Sequence, residues 1–142
     1  MASPAFEEIV ENFELFDAWE DRYRYIIDLG REMPELPDAR RTDAAKVEGC
    51  ASQVWLVPEL RTEEGADRLY FDGDSDATIV RGLIAVLRAL VSGQRVADIP
   101  GLDIEGELAR LEMHQHLSGQ RSNGLAAMVQ RLKDLAGRAA AA

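Results

Sequence analysis

The stretch "GDSDATIVRGLIAVLRALVSG", residues 73–93, constrains the fold more than any other part of the chain. Ile79, Leu83, Val86, Leu87 and Leu90 recur at helical spacing, and Val80, Ile84 and Val91 widen that stripe. A helix this apolar around its middle needs other elements on most of its sides, so it is expected at the centre of the core. Asp74 and Ser75 are the expected N-terminal caps, and Gly93 closes the far end. A core of that kind is within reach of a single domain of 142 residues.

The flanking segments supply the cover. Phe6, Ile9, Val10 and Phe13 predict an amphipathic helix over Pro4 to Phe16. "DAWE" predicts a second helix from Asp17, with Trp19, Tyr23, Ile26 and Ile27 on one stripe, ended by Pro34 and Pro37. Ser52 to Val57 reads as a strand ending at Pro58, with a partner strand at Arg68 to Phe71. A short strand near Ala45 to Val47 puts Gly49 and Cys50 in a turn. "VADIP" is a turn before a shorter helix. A last helix from Ser122 turns Leu125, Met128, Val129, Leu132 and Leu135 inward, and its Ala-rich end, from about residue 137, is expected to fray. Helices, then strands, then helices define an α+β fold: a small antiparallel sheet of about three strands packed against several helices, one domain over residues 1–142.

Charge narrows the function. The net charge is −10, and residues 1–38 hold eleven carboxylates against three arginines. Such a surface repels phosphate backbones and argues against nucleic-acid binding. No apolar run approaches membrane-spanning length, and the N-terminus lacks the basic and apolar regions of a signal peptide. A lone cysteine makes no internal disulfide and fits a reducing, cytoplasmic setting.

Asp72, Asp74 and Asp76 open like a calcium loop, but Ala77 and Leu83 stand where such a loop needs Gly and Glu. His114 and His116 with Cys50 lack zinc-site spacing. No metal or cofactor site is expected. Cys50 remains. Gly49 permits a tight turn, Ser52 and Gln53 follow as hydrogen-bonding groups, and Val54, Trp55 and Leu56 offer apolar cover. Lys46 and Glu48 give no strong local activation, so Cys50 is a poor self-activated nucleophile. Without a second cysteine, sulfur taken up there cannot leave by forming an internal disulfide and must pass to another molecule. That is carrier chemistry. The competing reading is a stand-alone thiol enzyme, peroxidase- or rhodanese-like, which needs a depressed thiol pKa. A cluster or zinc scaffold needs more ligands than one cysteine provides, and a purely structural Cys50 would tolerate serine.

"VEGCASQVWL" closely resembles the active-site motif of the SufE family of sulfur-acceptor proteins (SufE/CsdE-like). "FDAWEDRYRYIIDLGREMPELP", "FDGDSDATIVRGLIAVL" and "HLSGQRSNGLAAMVQRLK" are similar to its other segments, in register from about Phe6 to Lys133. Residues 58–67 and 92–112 resemble the family least. The resemblance implies a fold shared with IscU-type scaffolds. It also implies that Cys50 accepts persulfide sulfur from a pyridoxal-phosphate-dependent cysteine desulfurase, stimulates that enzyme, and passes the sulfur to an iron–sulfur scaffold complex. Both Suf-type and Csd-type desulfurases (SufS- or CsdA-like) are served by similar proteins. Arg121 matches a basic position resembling a partner-contact or loop-supporting site, and His116, close in sequence, is a second candidate for that surface.

Overall fold

The computed structural model describes residues 3–141. Helix α1 (Pro4–Leu15) starts where Ser3 Oγ accepts the Phe6 amide at 3.2 Å, with Pro4 in the first turn. It buries the expected stripe of Phe6, Ile9, Val10 and Phe13. Helix α2 (Trp19–Glu32) begins two residues after the expected Asp17, with Ala18 as its cap and no side-chain capping bond. Arg22 accounts for the difference. Its Nε donates to the Phe13 and Phe16 carbonyls at 3.1 and 3.0 Å, so the α1–α2 turn is fastened by a guanidinium at the end of α1.

Helix α3 (Thr78–Val91) is the core helix, with nine buried residues between Ile79 and Val91. It runs so close to α2 that a Cβ at Gly82 would lie 2.3 Å from the Ile26 carbonyl oxygen. A Cβ at Gly30 would lie 2.6 Å from the Gly82 amide nitrogen. The two glycines set the crossing distance.

The sheet is antiparallel in the order β1-β2-β3, with β1 (Val54–Glu63), β2 (Ala66–Ser75) and β3 (Gln94–Arg95). Both long strands exceed expectation. β1 passes through Pro58, and a two-residue turn joins Glu63 to Ala66, with Glu64 and Gly65 at φ +53° and +76°, as a hairpin of matching twist requires. Pro58 is tolerated because β1 is an edge strand. The Leu56 amide points outward to the Ala45 carbonyl at 2.9 Å, and alternation aims position 58 toward the same open side.

The segment expected as a strand at Ala45 to Val47 is a single bridge, Lys46 to Trp55, so the third strand is β3 instead. β3 leads into a 3-10 turn (Val96–Gly101) and helix α4 (Ile104–Ala109), capped by Asp103 through the Gly106 amide at 3.0 Å. Helix α5 (Gly119–Ala141) starts three residues before the expected Ser122, and Met128, Val129, Leu132 and Ala136 are buried along it.

Asp74 is not a helix cap. It lies in β2, fully buried, and its carboxylate accepts from Arg41 at 2.7 Å, Arg81 at 2.6 Å, and the Leu36 and Ser75 amides at 3.1 and 2.8 Å. Burial opposes ionisation. The two amides and two arginines outweigh it and hold the carboxyl below the usual carboxylate range. Arg81 also donates to the Gly30 and Met33 carbonyls, so one network joins β2, α3 and the end of α2. The cap of α3 is Ala77, whose amide is taken by Ser75 Oγ at 3.2 Å.

Candidate functional site

Cys50 sits at the tip of the connection between the Lys46 bridge and β1. Gly49 has φ +90°, in the left-handed region that disfavours side chains, and a Cβ there would come within 3.3 Å of Ala127 Cβ on α5. This turns the chain so that Cys50 faces α5. Its side chain is half-buried, and the S–H donates to the Gly124 carbonyl with Sγ 3.6 Å from the oxygen. Gly124 is buried beneath it, and the sulfur lies 3.5 Å from where a Cβ at that position would be, an ordinary contact distance.

Beside the thiol is a cavity of about 310 Å³ between the loop, α3 and α5. Val54, Val80, Leu83, Leu125 and Met128 give it an apolar wall. Ser52, Ser118, Gln120 and Arg121 lie on its polar side. Burial first, and the Glu48 carboxylate second, push the Cys50 thiol above its usual value. At neutral pH the group is therefore a protonated thiol, covered on one side and opening onto a cavity on the other.

The sequence-derived residues divide into three groups. Ser52, Val54 and Arg121 line the cavity with Cys50. Gln53 acts through its backbone: its amide donates to Asp76 Oδ1 at 3.0 Å and its carbonyl accepts the Asp76 amide at 3.3 Å. Trp55 and Leu56 lie outside the cavity lining. Trp55 carries the Arg41 guanidinium 5.4 Å above its ring, and Leu56 is buried in the core against Gly73. The rest of the apolar cover comes instead from α3 and α5: alternation along β1 sends Trp55 to the face opposite Val54, and Leu56, on the same face as Val54, is taken up in the core.

His116 stacks on Trp19 with ring centroids 3.6 Å apart, and its carbonyl accepts the Tyr23 hydroxyl. It fastens the segment before α5 to α2 and does not line the cavity. The side chain of His114 lies outside what the structure describes. Among the described residues, no three His, Cys, Asp or Glu side chains gather as a metal site, and no helix is long and apolar enough to cross a membrane.

Two residues that sequence reasoning passed over matter here. Gly124 receives the thiol, and Arg131 donates from α5 to the carbonyls of Ala44 and Lys46, at 3.2 Å for the latter. Gly124, Ala127 and Arg131 recur at helical spacing on the side of α5 that meets the loop, a pattern legible only once the loop is known to lie there.

An α+β domain that presents one protonated thiol at a glycine turn, against a closed helix surface and beside a cavity, defines a single-cysteine protein whose thiol is sheltered at rest. The match to known proteins is specific. The profile of the SufE Fe-S metabolism associated domain covers residues 7–136, and the chain belongs to the SufE family. A SufE-like protein of Rhizobium meliloti is 45% identical over 129 residues, spanning 91% of this chain and 92% of the relative. A SufE-like protein of Rhizobium etli is 45% identical over 130 residues, spanning 92% and 88%. The fold is shared with a solution structure of a hypothetical protein from Thermus thermophilus, at TM-score 0.73 and 20% identity, with 100% of both chains covered.

Proposed function

We propose that this protein accepts sulfur from a pyridoxal-phosphate-dependent cysteine desulfurase onto Cys50, stimulates that enzyme by clearing its persulfide, and delivers the sulfur to an iron–sulfur scaffold complex in the cytoplasm. The observation that carries the reading is the lone Cys50 thiol, held protonated against Gly124 beside a cavity. Membership of a family associated with Fe-S metabolism supports it.

The chemistry balances without an external oxidant. Cys50 thiolate attacks the outer sulfur of the donor's persulfide, a new S–S bond forms on Cys50, and the donor's inner sulfur leaves as its thiolate. The proton lost from Cys50 goes to a base in the donor's site, since nothing around the resting thiol lowers its pKa. Activation by the partner is the simplest way for so unreactive a thiol to work, and it also keeps the thiol quiet toward other electrophiles. Once formed, the persulfide is prone to oxidation and premature reduction, and the cavity beside Cys50 offers it cover. The raised thiol pKa weighs against a stand-alone peroxidase- or rhodanese-like enzyme.

Sulfide release from L-cysteine by purified Suf-type and Csd-type desulfurases, with and without this protein, tests the reading. Stimulation by the wild type and none by Cys50→Ser is expected, and the better-stimulated desulfurase identifies the partner. Equal stimulation by Cys50→Ser would remove Cys50 from the reaction.

A further inference from the structure

The first turn of α5, with the residue before it, puts Ser118, Gln120 and Arg121 on the Cys50 cavity. Ser118 organises that turn. Its Oγ accepts the Arg121 amide at 3.2 Å and its carbonyl accepts the Ser122 amide at 2.9 Å, as a helix N-cap does. Arg121 is the one charged side chain among those lining the cavity, and among the described residues it has no carboxylate partner. From α3 the cavity receives only Val80 and Leu83, and Glu48 on the loop is the other charge that the thiol senses.

The place of that turn is set from α2. Among the described residues, one hydrogen bond ties residues 116–123 to a part of the chain distant in sequence: the Tyr23 hydroxyl donates to the His116 carbonyl. The Trp19 ring stacks on the His116 imidazole, with centroids 3.6 Å apart and planes 23° apart. Trp19 and Tyr23 are four residues apart on one face of α2, so a single face grips both the ring and the backbone of His116. Trp19 is itself held, edge-on to Phe13 at 6.1 Å and under the Arg22 guanidinium at 5.1 Å. His116 is exposed, so core burial does not account for its position. It stands two residues before Ser118, a span of at most about 7 Å of chain, so the grip on His116 carries over to the cap of α5.

Sulfur on Cys50 gives this wall a task. A persulfide is a stronger acid than its thiol, so the outer sulfur is an anion at neutral pH. An anion beside an apolar wall is costly unless a cation or hydrogen-bond donors face it. We infer that Trp19, Tyr23 and His116 are positioning residues for the sulfur held on Cys50, acting through Ser118 to keep Arg121 at the cavity. The inference rests on the carrier reading for the source of the sulfur, but the protection itself is measurable in the free protein without any desulfurase.

The experiment loads Cys50 with sulfur from sodium tetrasulfide, removes the excess, and follows alkylation of the persulfide by iodoacetamide at pH 7.5. Intact mass separates alkylated persulfide from alkylated thiol by one sulfur atom. His116→Ala and Trp19→Ala should speed alkylation of the persulfide about tenfold, the scale of one lost charge-assisted contact. Alkylation of the unloaded thiol should change less than about twofold on that scale, since the thiol carries no charge for Arg121 to hold. His116→Tyr and Trp19→Phe, which keep a flat ring in the stack, should recover most of the protection. Arg121→Gln should match His116→Ala, and the double variant should be no faster than Arg121→Gln alone, because His116 acts through Arg121. Where Trp19→Ala does not fold, the exposed His116 still carries the test. Equal acceleration of thiol and persulfide, additive effects in the double variant, or an unchanged rate in His116→Ala would overturn the inference. A persulfide protected in this way on a protein that takes no sulfur from any desulfurase would count against the carrier reading and leave the positioning role standing.

Discussion

A half-buried thiol next to a carboxylate ionises late. Cys50, raised by its own burial and then by Glu48, should react with iodoacetamide along a pH profile whose inflection lies above the ordinary thiol value of about 8.5. Glu48→Gln should bring that inflection down, with burial leaving it still elevated, and an inflection at or below the ordinary value would show that the thiol is activated at rest. Gly49 is the second residue on which the site turns. At φ +90° and with Ala127 3.3 Å from its absent Cβ, Gly49→Ala should cost about 1–2 kcal/mol in chemical denaturation and push the tip off α5. Cys50 and Gly49 stand out in the sequence because both carry meaning locally: a lone thiol, and a glycine where a turn is needed. Gly124 and Arg131 do not, since their roles come from a partner about eighty residues away along the chain.

Packing of whole elements depends on two features of a different kind. The α2–α3 crossing places backbone on backbone at Gly30 and Gly82, so Gly82→Ala should destabilise by about 2–3 kcal/mol through overpacking, read from urea midpoints at constant m. The Asp74 network ties β2 to α3 and the end of α2. Removing Arg81, as Arg81→Met, strands much of a buried carboxylate and should cost about 3 kcal/mol. Its pH dependence has a definite sign. The folded pKa of Asp74 is depressed, so its stabilisation is fully present above the unfolded value of about 3.9 and is lost as pH falls through the lower folded value. Asp74→Asn should be less stable than wild type at neutral pH, and the gap should narrow on acidification. The helices are legible from periodicity because an apolar stripe is a local pattern, whereas the strand residues beyond Val57 and before Arg68 are not. Their outer halves are exposed and polar, and Pro58 reads as a stop until the open edge of β1 is seen to excuse it. Asp74 reads as a cap for a similar reason: an acid shortly before a helix looks the same whether it faces an amide or two distant arginines.

At the scale of the molecule, one domain combines a packed frame with the short connection that carries Cys50. α3 and the sheet form the frame, α5 supplies the surface on which Cys50 rests, and α1 and α2 close the opposite side of α3. The family and the fold class are readable from the sequence because the motif around Cys50 and the core helix belong to a pattern that extends through most of the chain. The cavity is not, since its walls come from the loop, α3 and α5 together. The central claim is that sulfur comes to rest on Cys50, and its most direct test is intact mass after incubation with a desulfurase and L-cysteine, without reductant, followed by peptide mapping. The account predicts the added mass of one sulfur atom on the peptide containing Cys50, removable by dithiothreitol and absent from Cys50→Ala. An unmodified Cys50 peptide, alongside a desulfurase shown to carry its own persulfide, would contradict it.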